Sequence, residues 1–228
     1  MTRSASTPGF AIFAAPPRPA EAALAPLHDL AVPLLSDCMG RLYGAVGLRP
    51  YHRGGRMVGP AFTVKTRPGD NLMIHQALDL AQPGDVIVVD GGGEVANALL
   101  GEIMLRWAVA RKLGGFVIDG AIRDVEAYVR SDFPCFARGQ SHRGPYKDGP
   151  GEINVPVCIG GMAVCPGDVM IGDADGVLAF PVDRLAELTA KAAAKLQQEE
   201  ADFARIAGGA YPRPWLSEAM RRNGVDGP

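Results

Sequence analysis

Gly115-Phe116-Val117-Ile118-Asp119-Gly120-Ala121-Ile122-Arg123-Asp124, preceded by Pro83-Gly84-Asp85-Val86-Ile87-Val88-Val89, is the stretch whose reading decides the fold. Neither apolar run alternates as a half-exposed strand does, so each predicts a strand buried on both faces. The first is entered through a Pro-Gly-Asp turn and closed by Gly91-Gly92-Gly93, and a helical region is expected from there to Lys112. The second stops at the Asp119-Gly120 turn. Strand, loop, helix and strand in that order imply a parallel pair with a right-handed crossover. Beyond the second strand, Arg123 stands directly before Asp124. A guanidinium takes a carboxylate or a developing oxyanion and a carboxylate holds a divalent cation, so this strand end suits a metal and an anionic ligand together. Most Arg-Asp dipeptides are solvated surface pairs, and alone the pair is weak.

Outward from this unit, Ala31 to Leu42 reads as a helix with Ser36-Asp37 inside it, and Met57 to Thr66 as a strand. Arg67-Pro68-Gly69-Asp70-Asn71 supplies a turn and an N-cap for a helix from Leu72 to Ala81. After Asp124 the chain becomes short strand candidates punctuated by Gly and Pro: Phe133 to Arg138, Ile153 to Ile159, Met162 to Cys165, Val169 to Ile171 and Val177 to Phe180. Pro166-Gly167-Asp168 repeats Pro83-Gly84-Asp85, most simply because Pro-Gly-Asp turns a chain into any strand. Asp183 to Ile206 is one alanine-rich helix with Asp183 as its N-cap, and its charged second half suits contact with another subunit. The class is mixed α/β, with helices around a compact sheet or barrel, and not a plain doubly wound sheet.

At 228 residues the chain suits a core domain with terminal extensions. Residues 1–25 read as a mobile or partner-contacting arm, 26–182 as the α/β domain and 183–228 as a C-terminal helix and tail. The apolar patch Phe10-Ala11-Ile12-Phe13 is too short to span a membrane, although its small-residue flank leaves a secretory signal as the alternative to an arm. Lys+Arg 23 against Asp+Glu 25 leaves no nucleic-acid or membrane footprint. Cys38, Cys135, Cys158 and Cys165 lack CxxC spacing, which argues against a zinc site or disulfide scaffold and fits a reducing cytoplasm.

Gly91-Gly92-Gly93 has neither GxGxxG spacing nor a following GK[ST], which disfavours a phosphate loop. Gly101, followed by Glu102-Ile103-Met104, has two readings that spacing leaves open. It is either a glycine for close helix packing or the start of a new helix whose unpaired first amides form an anion site. A Schiff-base mechanism needs a buried lysine; Lys191 and Lys195 face out on a helix, Lys147 sits in a polar loop, and Lys65, on a strand, is the one candidate, read more simply as a snorkelling surface lysine. His28, His52, His75 and His142 have no metal-binding spacing, and His75 reads as a packing or capping residue.

Glu102, then twenty residues, then Arg123-Asp124 resembles the acidic-x20-Arg-Asp signature of the class II pyruvate aldolases. These enzymes cleave 4-hydroxy-4-methyl-2-oxoglutarate and 4-carboxy-4-hydroxy-2-oxoadipate, and their superfamily includes the regulator of ribonuclease activity A. The likeness spans roughly Leu30 to Ala207 and takes in Leu35-Ser36-Asp37, Pro83-Gly84-Asp85-Val86, Asp119-Gly120, Gly149-Pro150-Gly151-Glu152-Ile153-Asn154-Val155-Pro156 and Gly172-Asp173-Ala174-Asp175-Gly176-Val177. Family members usually carry aspartate where Glu102 stands.

The resemblance implies a layered β/β/α, swivelling-domain-like core with a parallel βαβ unit and a C-terminal helical extension. It implies a lyase releasing pyruvate from 4-hydroxy-2-oxo acids and also decarboxylating oxaloacetate. Asp124 would ligate Mg2+ or Mn2+, Arg123 would stabilise the enolate, and the amides of Gly101, Glu102, Ile103 and Met104 would hold the pyruvyl carboxylate. Glu102 would orient water on the metal. The site would lie between subunits of a homotrimer or hexamer, with Glu199, or Glu200 beside it, reaching in from a neighbour. Arg143 or Lys147 are candidates for a second substrate carboxylate. The alternative function is a non-catalytic regulator that binds an RNA-processing enzyme.

Overall fold

The computed structural model describes residues 7–225. Its longest strand, β3 (Met57–Thr66), belongs to two sheets at once. Met57–Pro60 pair antiparallel with β11 (Val169–Asp173), and Ala61–Lys65 pair parallel with β4 (Val86–Asp90). From edge to edge the main sheet runs β1 (Phe10–Ile12), β8 (Gly151–Ile153), β3, β4, β6 (Gly115–Ile122), β7 (Cys135–Gln140) and β2 (Arg49–Pro50). The short strand β5 (Ala98–Leu100) is added along the end of β6. The central strands β3, β4, β6 and β7 are mutually parallel, as a crossover unit requires.

Alternate residues of the central strands face two different cores, which is why their sequence does not alternate. Ile87, Val89, Phe116 and Ile118 pack against Ile74, Ala77 and Leu78 of α3 (Leu72–Leu80), Met104, Leu105 and Ala108 of α4 (Glu102–Ala110) and Tyr128 of α5 (Val125–Val129). Val86, Val88 and Val117 pack the other way, against β9 (Val157–Ile159), β10 (Met162–Val164), β11 and β12 (Gly176–Phe180). Each fully buried valine or isoleucine contributes about 1.5–3 kcal/mol relative to exposure. The result is the expected β/β/α layering, with helices on one face of the main sheet and strands on the other. A third core joins α2 (Val32–Cys38) and α6 (Leu185–Ala207) to β11 and β12.

The structure corrects several expectations. The helix expected over Ala31 to Leu42 ends at Cys38, where Met39-Gly40 turns the chain. The region after Gly93 is not helical throughout: β5 precedes α4, because the ladder to Ala121 and Ile122 outweighs local propensity. The strand expected to stop at Asp119-Gly120 continues to Ile122, held by β5 on one side and by Gly139 and Gln140 of β7 on the other. The candidate over Ile153 to Ile159 is two strands, broken where Asn154 takes a left-handed conformation and Pro156 follows. Asp183 does not cap the long helix; it lies in a 3-10 turn and Arg184 holds the N-cap position without a side-chain bond.

The expected mobile arm is in part a strand. Residues 1–6 lie outside the described residues, but β1 pairs parallel with β8, α1 (Glu21–Leu24) follows, and Arg18 reaches Asp85 at 3.2 Å. At the other end, residues 226–228 lie outside the description, and α7 (Pro214–Arg222) buries none of its residues. Among the described residues no helix is long and apolar enough to cross a membrane.

Candidate active site

The carboxyl end of β6 carries the site, the place where parallel α/β sheets put their ligands. Arg123 is the first residue past the strand, and its amide donates to the carbonyl of Leu100 at 2.8 Å, so β5 and β6 end together. Asp124 then takes φ 58° and ψ 40° as the N-cap residue of α5. A left-handed aspartate is tolerated better than most residues because its short side chain can bond locally. Here that bond is long-range: the amide of Glu102 donates to Oδ2 of Asp124 at 2.9 Å. The first turn of α4 therefore rests on the Arg123-Asp124 turn.

Gly101 stands between them. A Cβ there would lie 2.5 Å from Oδ2 of Asp124 and 3.0 Å from Nε of Arg123, so only glycine fits. Gly101 is the N-cap of α4, and the close approach it permits is to the Arg-Asp turn and not to another helix. Tyr128, fully buried on α5, donates its hydroxyl to the carbonyl of Gly101 at 3.2 Å.

The expected anion site is narrower than the sequence suggests. Of the amides from Gly101 to Met104, that of Glu102 is taken by Asp124 and that of Met104 donates to the carbonyl of Gly101 at 3.1 Å. The amide of Ile103 has no acceptor among the described residues and faces no earlier turn of helix. Glu102 itself bonds outward: its Oε1 accepts from Nε and NH2 of Arg106 at 2.8 and 2.6 Å.

A cavity of about 260 Å³ opens beside this turn, lined among others by Gly101, Ile103, Met104 and Arg123. Its lining also takes in Asn71, from the turn before α3, His75, which the sequence reads as a packing or capping residue, and Lys147, a candidate for a second carboxylate. Asn71 donates through Nδ2 to the carbonyl of Leu99 at 2.9 Å, while its buried Oδ1 has no partner. The clue to His75 was its spacing: it lies four residues after Asn71 and so on the same face of α3. Burial, and next to it the charge of Lys147, lower the His75 pKa and favour its neutral form. Arg143 does not line this cavity. A wider groove of about 890 Å³ runs between α4 and α5 on the other side of Glu102 and Asp124.

Arg123 and Asp124 lie 3.6 Å apart, with about two-fifths of each side chain exposed. Among the described residues no three His, Cys, Asp or Glu side chains gather into a metal cage. One carboxylate with an uncommitted oxygen still fits a hard divalent ion such as Mg2+, which keeps several waters and takes one or two carboxylates plus substrate oxygens. Glu199 does not reach this cavity from its own chain. It lies on α6, where it acts on Lys195, which in turn pairs with Asp37 of α2. Glu200, next to it, is exposed on the same helix.

Fold and site together define a layered β/β/α protein with a small cavity beside the end of a central parallel strand. The chain belongs to the Aldolase/RraA family: the RraA-like family model matches residues 32–179. A protein of Halalkalibacterium halodurans named "Putative 4-hydroxy-4-methyl-2-oxoglutarate aldolase" is 42% identical over 168 residues, covering 73% of this chain and 80% of that one. The 4-hydroxy-4-methyl-2-oxoglutarate aldolase of Thermus thermophilus is 35% identical over 112 residues, covering 49% and 68%. Among solved structures, Streptomyces coelicolor RraAS2, described as an unusual member of the RNase ES inhibitor RraA protein family, superposes with TM-score 0.75 at 27% identity, covering 83% of this chain and 98% of that one.

Proposed function

We propose that the protein is a lyase that cleaves 4-hydroxy-2-oxo acids of the 4-hydroxy-4-methyl-2-oxoglutarate type by retro-aldol reaction, releasing pyruvate, with Mg2+ or Mn2+ as cofactor. The observation that carries this reading is the Glu102 amide bonded to the Asp124 carboxylate. That bond sets the metal-competent Asp124 carboxylate against the helix start at Gly101 and beside the Arg123 guanidinium, and Gly101 and Arg123 both line the small cavity. The aldolase names of the relatives support it.

In the reaction the C3–C4 bond breaks and its electron pair passes to C3 and C2, forming the enolate of pyruvate. The C4 hydroxyl gives its proton to the water that Glu102 orients and becomes a carbonyl, and C3 takes a proton back from that water. Arg123, through its guanidinium, stabilises the oxygen that gains charge. The free amide of Ile103 holds the pyruvyl carboxylate. Asp124 would hold the divalent cation, which supplies Lewis-acid polarisation of the 2-oxo acid when bound. Glu102, steadied by Arg106, orients water beside Asp124. Loss of CO2 from oxaloacetate yields the same enolate, so the protein should also decarboxylate that acid. The site is completed by a neighbouring copy in a trimer or hexamer, through Glu199 on the outward part of α6.

Coupled detection of pyruvate tests this reading. Activity on 4-hydroxy-4-methyl-2-oxoglutarate should vanish after chelation and return with added Mg2+ or Mn2+; full activity after thorough chelation would sink the metal-dependent mechanism. Arg123→Ala should lower kcat far more than it raises KM, because the charge it meets develops only in the transition state. The second reading, a regulator that binds an RNA-processing enzyme, draws on the likeness to the RraA structure of S. coelicolor. It needs neither the cavity nor Asp124, so inhibition of such an enzyme by an inactive Asp124→Ala variant would favour it.

A further inference from the structure

The apolar patch Phe10-Ala11-Ile12-Phe13 contributes nothing to the lining of the cavity, and it lies before residue 32, where the family match begins. Its strand, β1, is poorly buried: Ala11 is covered, while Phe10, Ile12 and Phe13 are each about half exposed. A segment with so little to gain from burial is nevertheless laid on a fixed course. The carbonyl of Gly9 accepts from the amide of Gly151 at 2.7 Å, and the amide of Phe13 donates to the carbonyl of Ile153 at 3.1 Å. Nδ2 of Asn154 donates to the carbonyl of Phe13 at 3.0 Å. Further along, Arg18 donates to the carbonyl of Pro83 at 2.7 Å and meets the nearly buried carboxylate of Asp85.

What this arm covers is β8 and the loop that leads into it, and that loop lines the cavity through Gly144, Pro145 and Lys147. The loop is pinned to the start of α3. The amide of Tyr146 donates to the carbonyl of Gly69 at 2.8 Å, and that of Asn71 to the carbonyl of Tyr146 at 3.0 Å. The amides of Asp148 and Gly149 donate to Oδ2 of Asp70 at 2.8 and 2.9 Å. Asp70 is fully buried, and its other oxygen accepts from the amide of Leu72 at 2.9 Å. One carboxylate thus clamps the loop. The arm adds a second hold, because the ring of Phe10 occupies the space that a Cβ at Gly149 would fill. Gly149 takes φ 71°, which glycine adopts at no steric cost. It is therefore held twice, by its amide on Asp70 and by its α-carbon under Phe10.

We propose that Phe10 is a positioning residue for the cavity: the β1–β8 ladder delivers its ring to Gly149, and the ring keeps the loop seated on the Asp70 clamp. Phe10 touches no reacting group and acts through the loop, whose Gly144 and Lys147 form part of the cavity wall. The seating rests on geometry alone, and its kinetic consequence rests on the retro-aldol reading. Segments held by few buried contacts open locally while the rest of the domain stays folded, so loss of the ring should loosen the loop alone. Arg123 and Asp124 are seated by bonds with Leu100 and Glu102 and should keep their places.

Amide hydrogen exchange of the full-length protein, read by mass spectrometry on peptides from the loop and from α4, tests the seating. Phe10→Ala should speed exchange in the loop about tenfold or more and leave α4 as in the wild type. Ile12→Ala removes a side chain of similar exposure on the same face of β1 and should leave the loop as in the wild type. Phe10→Leu should restore most of the protection. In coupled pyruvate detection with 4-hydroxy-4-methyl-2-oxoglutarate and Mg2+, Phe10→Ala should raise KM about fivefold with kcat within about twofold. Unchanged exchange in the loop, equal acceleration in the loop and α4, or equal effects of Phe10→Ala and Ile12→Ala would overturn the positioning role. So would an unchanged KM once the loop is loosened. A wild type that does not cleave the substrate would count against the lyase reading alone, because exchange still decides what Phe10 holds.

Discussion

Two arginine–aspartate pairs belong to β6 and its end, and they are built in opposite ways. In Arg138–Asp119 the carboxylate is nearly buried; one oxygen accepts from the guanidinium and the other from the amide of Gly160 at 2.9 Å. Every strong interaction that Asp119 can make is spent on joining β6 to β7 and to the turn after β9. In Arg123–Asp124 the two groups stand 3.6 Å apart and are each about two-fifths exposed, and only one carboxylate oxygen is bonded, to the Glu102 amide. The first pair holds the sheet; the second is held by it and keeps capacity for a ligand. An Arg-Asp pair in a sequence carries no mark of which kind it is.

Four substitutions sharpen or break that contrast. Asp124→Ala should lower kcat/KM by about 100-fold or more, roughly 3 kcal/mol of transition-state stabilisation, while urea unfolding shows a stability loss of only about 1 kcal/mol from the freed Glu102 amide. A stability loss of about 2–3 kcal/mol would instead place this pair with Asp119. Asp119→Ala should do the reverse, costing about 2–3 kcal/mol by leaving the Arg138 charge and the Gly160 amide without their acceptor. Urea unfolding reads it, and the folded fraction should retain most of its activity. Gly101→Ala should cost about 1–2 kcal/mol, because its Cβ displaces the Asp124 carboxylate, and should reduce kcat about tenfold. Unchanged kinetics there would show that the exact seat of Asp124 is unimportant. Tyr128→Phe, which removes the hydroxyl on the Gly101 carbonyl, should cost about 1 kcal/mol with kcat altered only two- to threefold.

A pH experiment extends the comparison to the carboxylates of the two Pro-Gly-Asp turns. Burial raises the Asp168 pKa above its ordinary value, against the bond from the Cys165 amide. A raised carboxylate pKa adds stability at low pH that is lost as pH rises through the folded value. The stability gap between wild type and Asp168→Asn, followed by thermal melts, should therefore be wider near pH 3 than at pH 7. A gap that widens toward neutral pH would mean that the ionised form is the stabilising one.

Those turns also show where sequence reading stops. Asp85 and Asp168 each accept from the amide three residues earlier, Gln82 at 2.7 Å and Cys165 at 2.8 Å, and Gly84 and Gly167 each take φ above 80°. The local chemistry was legible in both, as were the bounds of β3 and the buried strand β4. Their fates were not: β4 became the parallel centre of the main sheet, whereas β11 joined the antiparallel second layer. Of the site, Gly101, Glu102, Arg123 and Asp124 were legible through resemblance, while the Asp70 clamp, Tyr128 and the placement of His75 and Lys147 were not.

The sequence by itself determined turns, buried strands and helix starts, because those follow from side-chain period and backbone chemistry over a few residues. Only the tertiary structure decided that a three-residue segment, Ala98–Leu100, is a strand and that β6 runs on through Asp119-Gly120. It alone closed the bond between Glu102 and Asp124 and brought Lys147 and Arg123 to one cavity. Each of these depends on which distant backbone offers the missing hydrogen-bond partner, and no local pattern records that choice.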